Sequence, residues 1–590
     1  MKRKDIEEKY KWDLGLVLSG KDEFYLLCEE IRRDAKALSL YEGKLTTKET
    51  IFDFIKKDGE MDKKLGRVYL YAMLRVNADN SDPEALYFMD VVTNLSVEMS
   101  RLLAFVSPEL SNLSDEFLLS LMNDPEHAEC RRLFKEIIRQ KPHTLTTNEE
   151  KLLAGIGAFS DFDNTFSMLD NVEIKFDDVL DSLGKPHKLT NASYGLLMRS
   201  SDKVLRANTH YAMHKRYADF NLTLSANYIN QLKKSDYFAK TYNYKSTLDR
   251  ALFNEEVSPD VYKKLIKNVH ANIGQFYKFC KLKKNILGLD ILTIADMYAP
   301  ICKCGALNKT FEEAYEIVLS ALSVLGEDYT AILKRAKNER WIDVFPSDNK
   351  QGGAFSVSSE TGNPFVLLNY NKTYNDISTI AHELGHAMHS YYSEHNQPHE
   401  TCDYVIFVAE VASTVNEVLL CKYLIKNSVD NKLKKFLISS LLEDFYATVF
   451  RQTMFSEFEE VMHGKINAGE PVTFKELNAE YDRLQKLYFG GGVKFHKFAK
   501  YEWSRIPHFY RPFYVYKYAT GFICAIAIAE RIERLGEVAV EDYKKFLKSG
   551  SADDPVSLLK IAGVDISADE TYEQAFKFYG ELIKDLNKLS

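Results

Sequence analysis

A mostly α fold of more than one lobe, with a single small β element, is what this chain predicts, and three observations carry the prediction. Apolar residues recur at intervals of three and four through most of its length. Glycine and proline are sparse, 27 and 14 among 590 residues, so helices have few interruptions. Only one stretch, residues 352–371, has the composition of paired strands. At this length a single core stops growing, so the chain should divide into about two to four lobes.

Taken in order, "DEFYLLCEEIRRDAKALSLYEG" (22–43) and "PEALYFMDVVTNLSVEMSRLLAFV" (83–106) read as amphipathic helices with acids near their starts and bases near their ends. "DEFLLSLMNDPEHAECRRLFKEIIRQK" (115–141) and "FEEAYEIVLSALSVLGEDYTAILKRAK" (311–337) repeat apolar residues at the same helical spacing. The polar stretch Gly184 to Ser193 suggests a boundary near residue 200, giving a helical N-terminal domain (1–200) and a second domain (201–590). Within the latter, "GGAFSVSSETGNPFVLLNYN" (352–371) reads as strand, turn, strand. It leads directly into a helix, "DISTIAHELGHAMHSYY" (376–392), for which Asn375 or Asp376 is the expected N-cap.

The bulk chemistry narrows the function. A net charge of -8 with no long basic run gives no surface for a phosphate backbone, so nucleic acid is excluded as a partner. The apolar run "GFICAIAIAE" (521–530) is too short to cross a bilayer. The N-terminus turns acidic where a signal peptide would be apolar. No membrane association and a cytoplasmic location are therefore expected. Eight scattered cysteines suit free thiols. The close pair Cys302 and Cys304 lacks further soft ligands at zinc spacing.

The chemistry concentrates in residues 382–417. His382 and His386 are four apart, which on a helix places their Cβ atoms about 5–6 Å from each other on one face. Both imidazoles can then reach one zinc ion. Glu383 is turned by about 100 degrees from His382, beside the metal and positioned to take a proton from water. A chance His-Glu-any-any-His is expected roughly 0.02 times in a chain of this composition. A catalytic zinc normally has three protein ligands. The next helix, "DYVIFVAEVASTVNEVLLCKYLIK" (403–426), offers Glu410, an acid among valines and a phenylalanine that needs a cation to justify its place. Glu417, seven residues on, can orient a ligating histidine. His389 shares the face of His382, but a His386/His389 pair would leave Glu383 without a task.

Together "FVLLNYN", "TIAHELGHAMHS", "FVAEVASTVNE" and "IPHFYRPFYVYKYATG" closely resemble the oligoendopeptidase F group of the thimet-oligopeptidase-like zinc metallopeptidases. The resemblance implies a two-lobed helical zincin-type enzyme with a deep central channel, a small β-sheet beside the active-site helix, and oligopeptide substrates. It carries the zinc ligands, one ion per chain, onto His382, His386 and Glu410, and the general base onto Glu383. From the C-terminal segment it implies His508 with tyrosines as oxyanion and substrate donors. Tyr514 and Tyr518 are the expected catalytic pair, and Tyr510 and Tyr516 the expected substrate contacts. Phe513 stands where more distant relatives carry a tyrosine. Leu368 and Asn369 end the strand before the metal helix and are expected to pair with an extended substrate. The glycines of "YFGGGVKFHKF" (488–498) suggest a loop or hinge.

Two other readings share parts of this pattern. A zinc carboxypeptidase or dipeptidyl carboxypeptidase would use Arg505 or Arg511 to hold a free C-terminus. A catalytically inactive peptide-binding scaffold would lack Glu383 or the third ligand, and both are present.

Overall fold

The structure, a computed structural model, describes every residue except 1, 147, 148, 151, 154, 155, 157–159, 303–307, 360 and 361. Cys304 lies outside the described residues, while Cys302 is a free thiol. Helix accounts for 72% of the chain, in keeping with the mostly α expectation. Two compact units emerge, each assembled from three stretches of sequence. Unit 1 comprises Met1–Pro142, Ala306–Tyr423 and Ile528–Val564; unit 2 comprises His143–Gly305, Leu424–Ala527 and Asp565–Ser590. A boundary near residue 200 thus falls inside unit 2. The helices that position the chemistry are α1 (Lys21–Ser39), α2 (Lys48–Ala78), α3 (Pro83–Leu102), α4 (Lys203–Asp219), α5 (Tyr374–Asn396), α6 (Ile406–Asn427) and α7 (Tyr516–Leu535).

In unit 1, α1, α2 and α3 pack side by side around Phe24, Ile31, Ile51, Phe54, Phe88 and Val92. Two stretches of helical periodicity are each divided into more than one element. The 115–141 stretch divides into Asp115–Met122, a 3-10 turn and Arg131–Gln140. Pro125 disfavours helix in the preceding residue, and Asp124 caps the new turn by accepting from the Glu126 amide. The 311–337 stretch breaks at Gly326, whose φ of 103° lies in the left-handed region that side chains avoid.

Strand is scarce. β1 (Val179–Leu180) pairs with β2 (Pro186–His187), and β3 (Leu292–Thr293) pairs with β7 (Val493–Lys494). β4 (Ile342–Asp343), β5 (Phe355–Val357) and β6 (Phe365–Leu367) form a three-stranded sheet in the order β4-β6-β5. The expected hairpin is β5 and β6, antiparallel with Phe355 opposite Leu367. β4, only two residues long, carries no readable period. Phe365 and Leu367 enter the core of α1 to α3, so the sheet that precedes the metal helix is anchored on that bundle. The glycines at 490–492 form a single 3-10 turn ahead of β7.

This topology corrects one expectation. β6 is the central strand, and the backbone of Leu368 is already used: its amide donates to Asp343 O (2.8 Å) and its carbonyl accepts from Lys350 Nζ (2.6 Å). Asn369 spends its side-chain amide on the carbonyls of Gln351 and Gly353. Leu368 therefore offers no free backbone edge to an extended peptide. The outer side of β4 is covered by the N-terminal segment, where Val344 N donates to Tyr10 O and Asp13 N to Arg340 O. β5 is the strand at the sheet's other margin.

Lys350 holds the carbonyl ends of this sheet together. Its ammonium, fully buried, contacts Asp343 Oδ1 (2.7 Å) and donates to the carbonyls of Asp343, Phe345 and Leu368. Removing one partner of a buried pair leaves an uncompensated charge, at a cost of about 3–5 kcal/mol. Asp343→Ala is therefore expected to lose that much stability in urea titration, and a loss below about 1 kcal/mol would contradict the assigned role.

Candidate active site

Helix α5 begins at Thr373, not at Asn375 or Asp376: Thr373 Oγ1 accepts from the Asp376 amide and the Asp376 carboxylate accepts from the Thr373 amide, a reciprocal capping box. Its buried face, with Ile377, Ile380, Ala381, Leu384 and Met388, packs into unit 1 and leaves His382 and His386 partly exposed with ring centroids 4.9 Å apart. From α6, Glu410 turns its Oε2 toward both, 3.5 Å from His382 Nε2 and 3.6 Å from His386 Nε2. Its side chain keeps 40% exposure although Phe407, Val408 and Val411 around it in sequence are buried, because helical period turns those residues away from the site.

A glycine lets the two helices meet. A Cβ on Gly385 would stand 2.5 Å from Ser413 Cα and 2.6 Å from the Ala412 carbonyl oxygen. That contact is backbone against backbone, and nothing larger than glycine fits. Around it, Asn416 donates to the Ala381 carbonyl (3.1 Å), and Ser413 Oγ donates to Glu410 Oε2 (3.1 Å). Glu417 Oε2 lies 3.3 Å from His382 Nδ1, and Ser378 Oγ donates to Glu417 Oε1 at 3.1 Å. Glu417 thereby orients the imidazole from behind, as carboxylates do for metal-bound histidines.

The electrostatics follow from this geometry. Burial alone would lower the His382 pKa, but Glu417, with Glu383 and Glu410, raises it to about 9. Contact with His386 holds Glu410 down at about 2 against the effect of burial. Glu383 is 6% exposed, and burial raises its pKa although the two imidazoles oppose the shift. His389 takes no part in this cluster: it is buried, its ring stacks on Tyr404 at 3.7 Å, and burial lowers its pKa to about 3.

Two imidazole nitrogens and a carboxylate oxygen are the donors a catalytic zinc uses, and bonds of 2.0–2.1 Å at tetrahedral angles separate ligand atoms by about 3.4 Å. The observed 3.5 and 3.6 Å match that spacing. The donor set, all within 4.8 Å of one another, therefore fits the ion.

The second set of expected residues lies in unit 2. His508 stands in a 3-10 turn (Pro507–Tyr510), with Tyr518 Oη 3.4 Å from its Nε2. Tyr514 and Tyr518 have ring centroids 6.1 and 5.9 Å from His508 and 5.6 Å from each other, and all three are partly exposed. Burial, and then the Arg511 charge, lowers the His508 pKa. Tyr510 and Tyr516 belong elsewhere. Tyr516 is fully buried and donates to Glu255. Tyr510 is buried, stacks on Phe166 and accepts from Asn227 Nδ2 at 3.0 Å. Both are core residues where substrate contacts were expected.

Residues 196–578 match the description "Peptidase family M3", and residues 109–176 match "Oligopeptidase F". The chain belongs to peptidase family M3. Among similar proteins, oligopeptidase PepF of Bacillus subtilis is 34% identical over 590 residues, covering all of this chain and 88% of the relative. Group B oligopeptidase PepB of Streptococcus agalactiae is 34% identical over all of this chain and 98% of its own length. The crystal structure of oligoendopeptidase-F from Enterococcus faecium superposes with a TM-score of 0.72 at 28% identity, covering 96% of this chain and 99% of that one. As an M3 peptidase, this protein is a peptide hydrolase of a metal-dependent family, and His382, His386 and Glu410 are residues that can hold its metal. Among the described residues no helix is long and apolar enough to cross a membrane.

Sequence reasoning missed Gly385, Ser378 and Ser413. A glycine inside a helix costs about 1 kcal/mol relative to alanine, and its place between two candidate ligands was a legible signal of close packing. Gly385→Ala is expected to push α6 from α5 and to reduce zinc affinity at least tenfold, read by competition with a chromophoric chelator. Unchanged affinity in a folded variant would show that the glycine does not set the ligand spacing.

Proposed function

We propose that this M3 peptidase is a zinc-dependent endopeptidase that cuts internal bonds of short, unfolded oligopeptides in the cytoplasm. The observation that carries the reading is the placement of two Nε2 atoms and one carboxylate oxygen at zinc-ligand separations, with Glu383 buried beside them. Its substrate class is supported by the oligopeptidase names of full-length relatives. Zinc bound by His382, His386 and Glu410 would polarise the scissile carbonyl and acidify a water molecule.

Glu383 is the general base in this reading. It takes the water's proton as the oxygen adds to the carbonyl carbon, then passes that proton to the amine nitrogen as the C–N bond breaks. Burial suits it to the task, since a raised pKa makes the carboxylate a stronger base at neutral pH. Glu417, held by Ser378, keeps His382 in the tautomer that presents Nε2. His508 with Tyr514 or Tyr518 supplies donors to the developing oxyanion, a role supported by family membership and by their partial exposure. An extended substrate backbone aligns along the outer edge of β5, the sheet margin not covered by the N-terminal segment.

The C-terminal-gripping alternative loses one of its cations. Arg505 is committed to unit 2, its guanidinium 4.6 Å from the Tyr194 ring centroid, leaving only the exposed Arg511. An internally quenched peptide amidated at its C-terminus is expected to be cleaved as well as the free acid. Glu383→Gln is expected to retain one zinc at this site while kcat/KM falls by about 10³ or more, and His386→Ala to lose the ion as well. Loss of cleavage on amidation would overturn the endopeptidase reading. Comparable turnover by the Glu383→Gln protein would overturn the assignment of the base.

A further inference from the structure

Tyr514 and Tyr518 both stand beside His508, but their surroundings in unit 2 differ. Tyr518 Oη lies 3.4 Å from His508 Nε2, so its hydroxyl is shared with the imidazole. The Tyr514 hydroxyl, on a partly exposed residue, has no hydrogen-bond partner among the described residues. A cation lies against its ring. Lys517 Nζ is 4.4 Å from the Tyr514 ring centroid, within cation–π range. Local backbone sets this contact: the Lys517 amide donates to the Tyr514 carbonyl (3.4 Å) in the turn that enters α7, which brings two side chains three residues apart together.

Lys517 is 7% exposed and is held in place by Glu255, whose carboxylate contacts its Nζ and also accepts from Tyr516 Oη at 2.8 Å. A charge withdrawn from water is screened less, so its field on the ring exceeds that of a surface lysine. Two acids stand near enough to offset that field. Glu459 is neutral at pH 7, because burial raises its pKa to about 8. Glu255 is the counter-ion, and it divides its charge between Lys517 and the Tyr516 hydroxyl. The ammonium is the group that meets the face of the Tyr514 ring.

We propose that Lys517 tunes Tyr514 to be the oxyanion donor. The ammonium on the π-face draws electron density from the phenol and strengthens its O–H as a donor to the negative charge that develops on the scissile carbonyl oxygen. The proposal rests on the reading of this chain as a peptidase whose oxyanion is met from the His508 segment. Tyr514 is then the catalytic residue of the pair, Lys517 a positioning residue that acts through it, and Tyr518 the group that steadies the His508 imidazole. No covalent bond forms to either tyrosine. The Tyr514 proton stays on its oxygen throughout and the hydrogen bond weakens again as C–N cleavage restores a neutral carbonyl. Because the cation is already fixed in the free protein, it requires no reorganisation during the reaction.

The test separates ring electronics from structural support. Tyr514→Phe is expected to lower kcat about 10²-fold with KM changed little, and Tyr518→Phe to lower it less. Lys517→Met is expected to lower kcat about tenfold with KM and zinc content unchanged, and Lys517→Arg, which keeps a cation on the ring, to restore most of the loss. In a Tyr514→Phe background Lys517→Met should have no further effect. Placing 3-fluorotyrosine at position 514 of the Lys517→Met protein withdraws electron density through the ring itself and should recover much of kcat, which a purely structural lysine would not allow. Should Lys517→Met fail to fold with Glu255 left uncompensated, Lys517→Met/Glu255→Gln removes both charges and carries the same expectations. Additive losses in the Lys517/Tyr514 cycle, or no recovery with fluorotyrosine, would refute the tuning role. Full turnover by Tyr514→Phe would refute the choice of donor and leave the metal and base assignments standing, since those are read from His386→Ala and Glu383→Gln.

Discussion

The peptidase site rests on one steric condition, that α5 and α6 touch backbone to backbone at Gly385 and Ser413. Packed helices ordinarily keep their axes 8–10 Å apart because side chains separate them. A metal with ligands from both helices needs donor atoms about 3.4 Å apart, and a short carboxylate such as Glu410 bridges that distance only where the helices come close. Removing the side chain at 385, midway between His382 and His386, brings the closest approach to the level of the ligands. Ser413 then serves twice, as the backbone that meets the glycine and as the hydroxyl that bonds Glu410. Asn416 fastens the same contact one turn further along through the Ala381 carbonyl.

That approach concentrates charge. Glu383, Glu410 and Glu417 gather around two imidazoles, more negative groups than the histidines can neutralise. Opposite shifts in His382 and Glu410 express the same fact: the cluster stabilises positive charge at its centre. In the proposed reading a dication would satisfy that demand better than a proton on imidazole, and Glu383, offset around the helix, would be left as a base and not a ligand. The burial that makes Glu383 basic is supplied by the same apolar face of α5 that seats the helix in unit 1. Fold stability and the basicity proposed for Glu383 therefore draw on one set of contacts.

Much of this was legible in residues alone, and what was hidden has physical reasons. The i, i+4 histidines, the acid among valines and the β5–β6 hairpin are signals of local period, and local period survives in sequence. The two-residue β4 has no period to show, so β6 read as an edge strand when it is central. Helices 115–141 and 311–337 kept an apolar rhythm across Pro125 and Gly326, which masked breaks that capping by Asp124 and a left-handed glycine impose. The compact units are each built from three separated stretches, a long-range property that no window along the chain contains.

The aromatic segment shows how one backbone torsion decides which of several similar side chains is available. Phe513 has a φ of 58°, a conformation that a bulky residue adopts only when its surroundings hold it there. Here its amide donates to Glu459 Oε1 at 2.8 Å and its ring packs edge-on against Tyr262. Glu459 is completely buried, and burial raises its pKa to about 8, so it sits there as a neutral acid without the penalty of an isolated charge. With the turn set in this way, Tyr514 and Tyr518 face the same partly exposed side as His508. Tyr516 turns inward to Glu255, whose carboxylate also pairs with Lys517 and fixes the start of α7. A tyrosine at 513 would have its ring in the core occupied by Phe513. Phe513 is thus tied to a buried, neutral glutamate, and Tyr514 and Tyr518 present their hydroxyls beside His508.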